Sequence, residues 1–91
     1  MEKLDNFLAY LKESKPDSAD KYEGGVRNTF KEMYEKGVIS KPLKEMVPSE
    51  VKIAIETIKK NDQFQKKDDH GNHMYRNALD WYIRYLDEIS F

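Results

Sequence analysis

GNHMYRNALDWYIRYL, residues 71–86, is the stretch on which the architecture turns. Asn72 is of a type that caps helices, and after it Tyr75, Ala78, Leu79, Tyr82, Leu86 and Ile89 fall on one stripe of a helix expected to run to about residue 88. Met74, Trp81 and Tyr85 widen the apolar surface beyond what a surface helix needs. This helix is therefore expected to be the central element of the domain, or to keep a face built on Trp81, Tyr85 and Phe91 for a partner.

The rest of the chain supplies helices for it to pack on. Leu4, Phe7, Leu8 and Leu11 follow the i, i+3, i+4, i+7 spacing, so residues 2–14 read as a first amphipathic helix ended by Lys15-Pro16. Asp17 or Ser18 can cap a second, whose stripe of Ala19, Tyr22, Val26, Phe30 and Met33 runs to about Lys36. Gly37 is the expected stop, with Val38 folding back on Met33. Gly24-Gly25 inside this helix costs roughly 1 kcal/mol per glycine relative to alanine, which implies a close helix crossing or a backbone left bare for a ligand. Pro42, Leu43, Met46 and Val47 suggest a short helical segment that Pro48 breaks. Ser49 then caps a fourth helix on Val51, Ala54, Ile55 and Ile58, with Ile53 off the stripe. Residues 61–71 read as a polar loop pinned by Phe64. No alternating β-branched run is long enough for a strand, so the expected fold is all-α: one domain, residues 1–91, a compact bundle of four main helices plus one short helix.

Composition narrows the function classes. With 91 residues there is room for one small core, and without cysteine there is no disulfide or thiolate zinc site. No apolar run of about 18 residues is present, so a cytoplasmic protein without a membrane span is expected. Sixteen basic against 17 acidic residues leave no overall basic excess. Any basic face must be assembled by the fold, and residues 40–60, with five lysines against three glutamates, are where it would start.

Several positions combine caps, small residues and aromatics in order: Ser18-Ala19-x-x-Tyr22, Gly25, Leu43, Gly71-Asn72-x-Met74-Tyr75, Ala78-Leu79, Tyr82 and Leu86. This pattern resembles the SAM-like core-binding domain that precedes the catalytic domain of phage integrases and other tyrosine recombinases. It is also similar to the N-terminal helical region of some HNH restriction endonucleases. The resemblance spans nearly the whole chain and implies a SAM-like bundle that clamps duplex DNA, in a small phage or mobile-element regulator.

Arg27, Lys31, Lys41, Lys44, Lys52, Lys59 and Lys60 are the candidate phosphate contacts, since several recur at helical spacing and most lie in the locally basic region. Catalysis is not expected. No carboxylate pair, serine–histidine set or glycine-rich phosphate loop is present, and His70, Asn72 and His73 imitate the HNH letters without a ββα-metal framework. His70 and His73 with Asp68 and Asp69 straddle a loop-to-helix boundary and read as solvated turn residues, so no metal or other cofactor is assigned, and no small-molecule substrate is evident. The expected function is a non-catalytic module that contacts the duplex phosphate backbone; the alternative is a protein-interaction module, an inhibitor or oligomerisation domain, using Trp81, Tyr85 and Phe91.

Overall fold

Gly37 ends the second helix as its position demands. With φ at 75° it occupies the left-handed region, and its N–H donates to the Tyr34 carbonyl at 3.0 Å while the Val38 N–H donates to Met33 at 2.9 Å. These are the paired bonds of a Schellman stop, which satisfy carbonyls the helix leaves open. The computed structural model describes residues 3–89, and the elements in order are α1 (Asp5–Ser14), a 3-10 turn at Pro16–Ser18, α2 (Ala19–Glu35), a second 3-10 turn at Leu43–Glu45, α3 (Pro48–Lys59), α4 (Asp62–His70) and α5 (Met74–Ile89). Among the described residues there is no strand, and no helix is long and apolar enough to cross a membrane.

α5 is the central element, and its most extensive interface is with α2. Val26, Phe30 and Met33 of α2 meet Ala78, Leu79, Tyr82 and Leu86 of α5 in one core, to which α1 adds Phe7 and Leu11 and α3 adds Val51, Ala54, Ile55 and Ile58. Gly25 makes this approach possible. A Cβ there would lie 3.1 Å from Met74 Sδ and 3.3 Å from the buried Ala78 Cβ, whereas one on Gly24 would meet only Arg27 Nη2 at 3.8 Å. Packing therefore accounts for Gly25 and not for Gly24. The Cα radius of gyration, 12.2 Å, is what a globule of this length should have.

Three local expectations are corrected. Residues 61–71 are not a loop, because Asn61 accepts the Phe64 N–H at 3.0 Å and caps α4. Only Phe64 and Asp68 of α4 are buried, an i, i+4 pair whose second member is charged, so no apolar stripe announces the helix. Pro48 does not break the chain but starts α3, and Glu50 rather than Ser49 serves its first turn by accepting the Val47 N–H at 3.1 Å. Asn72 does not cap α5. It and His73 are both left-handed, with φ of 54° and 64°, and together they turn the chain between α4 and α5. The cap comes from Asp68, 1% exposed, whose Oδ1 accepts the Arg76 N–H at 2.9 Å.

Candidate functional site

Four of the seven basic residues singled out in the sequence are held in ion pairs. Arg27 is bound to buried Glu23, with Nε at 2.7 Å and Nη2 at 3.3 Å from its two oxygens. Lys41 pairs with Glu50 at 2.6 Å, Lys52 with Asp87 and Lys59 with Asp80, the last two tying α3 to α5. Lys31, Lys44 and Lys60 make no ion pair among the described residues. Lys60 caps the end of α3 and does not line the groove that Lys31 and Lys44 border.

The fold brings Lys31 and Lys44 together with Lys3, a residue that sequence reasoning did not single out. They border a groove of about 760 Å³ between the start of α1, the middle of α2 and the 3-10 turn at Leu43–Glu45. Its floor is apolar: Phe30 and Leu43 are buried, and Leu4 and Pro42 half-buried. Tyr34, 45% exposed, stands on the rim one helical turn from Lys31 and on the same face of α2. Among the described residues no acidic side chain lines the groove. Burial of Leu43 anchors the turn that carries Lys44, and the turn closes through Glu45 N–H to Pro42 O and Met46 N–H to Leu43 O, both 3.0 Å.

The opposite wall depends on Glu23. This carboxylate, 2% exposed, accepts the Leu4 N–H at 3.2 Å in addition to the Arg27 bonds, and so holds the chain ahead of α1 against α2. Burial alone would raise its pKa. The Arg27 and Leu4 hydrogen bonds and the charges of Arg27 and Lys3 outweigh that effect and hold it below the ordinary glutamate value. The same hydrogen bond pushes Arg27 higher still.

Trp81 and Tyr85 are half-buried, because α1 covers much of the aromatic surface of α5. Tyr10 lies 6.4 Å from Trp81 and 5.4 Å from Tyr85 between ring centroids, Phe7 is 5.4 Å from Tyr85, and the Arg84 guanidinium sits 4.9 Å from the Trp81 ring. Phe91 lies outside the described residues. The surplus aromatics thus serve an internal cluster with Tyr82, whose hydroxyl burial pushes up to about 12.

At the α4–α5 junction, Asp68 Oδ2 accepts from His73 Nδ1 at 3.0 Å, and Arg76 Nε lies 3.8 Å away. Asp68 is thus engaged by a helix terminus and two cationic or polar neighbours. Among the described residues no group of three His, Asp or Glu side chains is arranged to hold a metal ion. Comparison with protein-family models, with curated proteins and with solved structures finds no match for this chain.

Proposed function

We propose that this chain is a non-catalytic protein-interaction module whose docking surface is the lysine-bordered groove between α1, α2 and the turn at Leu43–Glu45. The observation that carries the reading is the combination of an apolar floor with Lys3, Lys31 and Lys44 at its edge, none of them in an ion pair among the described residues. An apolar floor is what a partner's side chains require, whereas a phosphate backbone needs cations alone. The face differs from the one expected at Trp81 and Tyr85, much of which α1 occupies.

Duplex DNA is the second reading, and it comes with the SAM-like bundle that the resemblance implies. Lys31 and Lys44 favour it, because both belong to the expected phosphate contacts and both are free to make them. Its weakness is number. Contacts from Lys3, Lys31 and Lys44 alone give a slope of log affinity on log salt of only about −3, against −5 or steeper for a protein making six or more contacts.

The two readings separate in a paired experiment. Random peptides are selected against the wild-type domain with counter-selection on Lys31→Glu/Lys44→Glu, and an unrelated labelled duplex is titrated into both proteins at low salt. Peptides that bind only the wild type, with amide shifts at Phe30, Tyr34 and Leu43, are expected. Duplex binding that is steep in salt and abolished by the double reversal, with no peptide recovered, would replace the protein reading by the DNA one.

A further inference from the structure

From the chemistry of the groove we infer that its occupant is an acidic amphipathic helix, with apolar anchors one turn apart and carboxylates on both flanks. The inference rests on the protein-interaction reading and assigns the class of partner.

Three features of the groove set this class. First, its cations come from three separate elements, Lys3 ahead of α1, Lys31 on α2 and Lys44 in the turn, so positive charge is contributed by more than one wall of the groove. A ligand with a single anionic head could serve one of these sites, whereas a segment with carboxylates along both edges serves all three. Second, the floor offers apolar contact through half-buried Leu4 and Pro42, Phe30 and Leu43 being buried, and presents few ring faces. Tyr34 is the one exposed aromatic side chain at the edge among the described residues, too few for a stack of successive bases or for the aromatic-lined groove that a polyproline helix requires. Third, the described residues include no strand, so no sheet edge is available to an added strand. A helix laid in the groove satisfies its own backbone and needs only side-chain complementarity from the site. At about 760 Å³ the groove lies within the range of sites that bury most of a drug-sized group, enough for the anchors but not for the whole helix.

The lysines would act mainly on encounter and orientation, since exposed pairs of this kind contribute modestly and are screened by salt. Each of Lys3→Ala, Lys31→Ala and Lys44→Ala is expected to weaken binding about two- to fivefold, while Tyr34→Ala, which removes exposed apolar contact, should slow capture less and hasten release more.

The test uses the sequences and affinities of peptides from the groove-directed selection. Enrichment of Asp and Glu beside apolar residues at i and i+3 or i+4, with binding that falls about twofold or more per Glu→Gln change and weakens with salt, is the expected result. Groove binders that are neutral or basic, or whose affinity is indifferent to salt, would overturn the acidic-helix inference and leave the interaction reading standing. Recovery of no groove-directed peptide would overturn both. Lys60→Glu is the control: Lys60 carries no ion pair among the described residues and does not line the groove, so peptide binding should be unchanged. Circular dichroism of each variant separates lost binding from lost fold.

Discussion

Removal of the Glu23 carboxylate should unfold the domain at a much lower temperature and open the groove from behind. Glu23 is 2% exposed and accepts three hydrogen bonds, from Arg27 Nε and Nη2 and from the Leu4 N–H. Breaking one partner out of a buried pair costs about 3–5 kcal/mol. The Arg27 side chain is 24% exposed and can turn toward water, which recovers part of that loss and brings the expected cost of Glu23→Ala to about 2–4 kcal/mol. For a domain of this size each kcal/mol moves the midpoint by about 4–8 °C, so a fall of roughly 10–25 °C is expected by calorimetry. Arg27→Ala should cost at least as much, since it strands a buried carboxylate with only the Leu4 N–H. The double variant should then be less destabilised than the sum of the singles by about 1 kcal/mol or more. Because Glu23 fixes Leu4, groove-directed peptides should also bind Glu23→Ala more weakly at temperatures where it remains folded, although Glu23 does not line the groove. A midpoint shift below about 3 °C, or strict additivity in the cycle, would refute this account of the α1 anchor.

Three further outcomes follow from the packing and the charges. Glu23 and Glu32 are both held below the ordinary carboxyl range, Glu32 first by its hydrogen bond to Lys67 and then by that to Lys36, so the unfolded chain takes up their protons first as pH falls. Stability to urea should accordingly be fully expressed above about pH 5 and decline as pH falls through about 4, with the decline reduced in Glu23→Gln. Gly24→Ala, whose Cβ makes only an ordinary contact with Arg27 Nη2 at 3.8 Å, should stabilise by about 0.5–1 kcal/mol in denaturant melts; Gly25→Val should destabilise by about 1–3 kcal/mol against Met74 and Ala78. Asp68→Ala should cost about 1–3 kcal/mol, while Asp68→Asn, which keeps an acceptor for the Arg76 N–H, should cost less; equal losses would mean that capping is not the role of this side chain.

Legibility in the sequence followed the nature of each signal. The stripes of α1, α2, α3 and α5 were readable because their buried positions are mostly apolar, with Glu23 and Thr29 of α2 the exceptions among the described residues, and the stop at Gly37 because a glycine followed by Val38 has few other uses there. α4 was hidden because a carboxylate occupies one of its two buried positions. Its remaining signals were Asn61 three residues before Phe64 and a run of good helix formers in Gln63, Gln65, Lys66 and Lys67. Asn72 misled, since asparagine is favoured both at caps and in left-handed turns, and only the position of Asp68 decides between them. The candidate cations were legible as residue types but not as free charges. Lys52 and Lys59 are neutralised by aspartates far along the chain on α5, and Lys3 joins Lys31 and Lys44 only through the fold.

The pairing of α2 with α5 also dictates when this domain can fold during synthesis. The two helices that share the largest interface are separated by residues 36–73, so neither can complete the burial of its stripe on its sequence neighbours alone, and their meeting requires closure of that long intervening stretch. A nascent chain that has not yet released α5 from the ribosome holds Val26, Phe30 and Met33 without their partners. Up to that point α2 is an amphipathic segment open to chaperones, and compaction waits for the last helix to emerge.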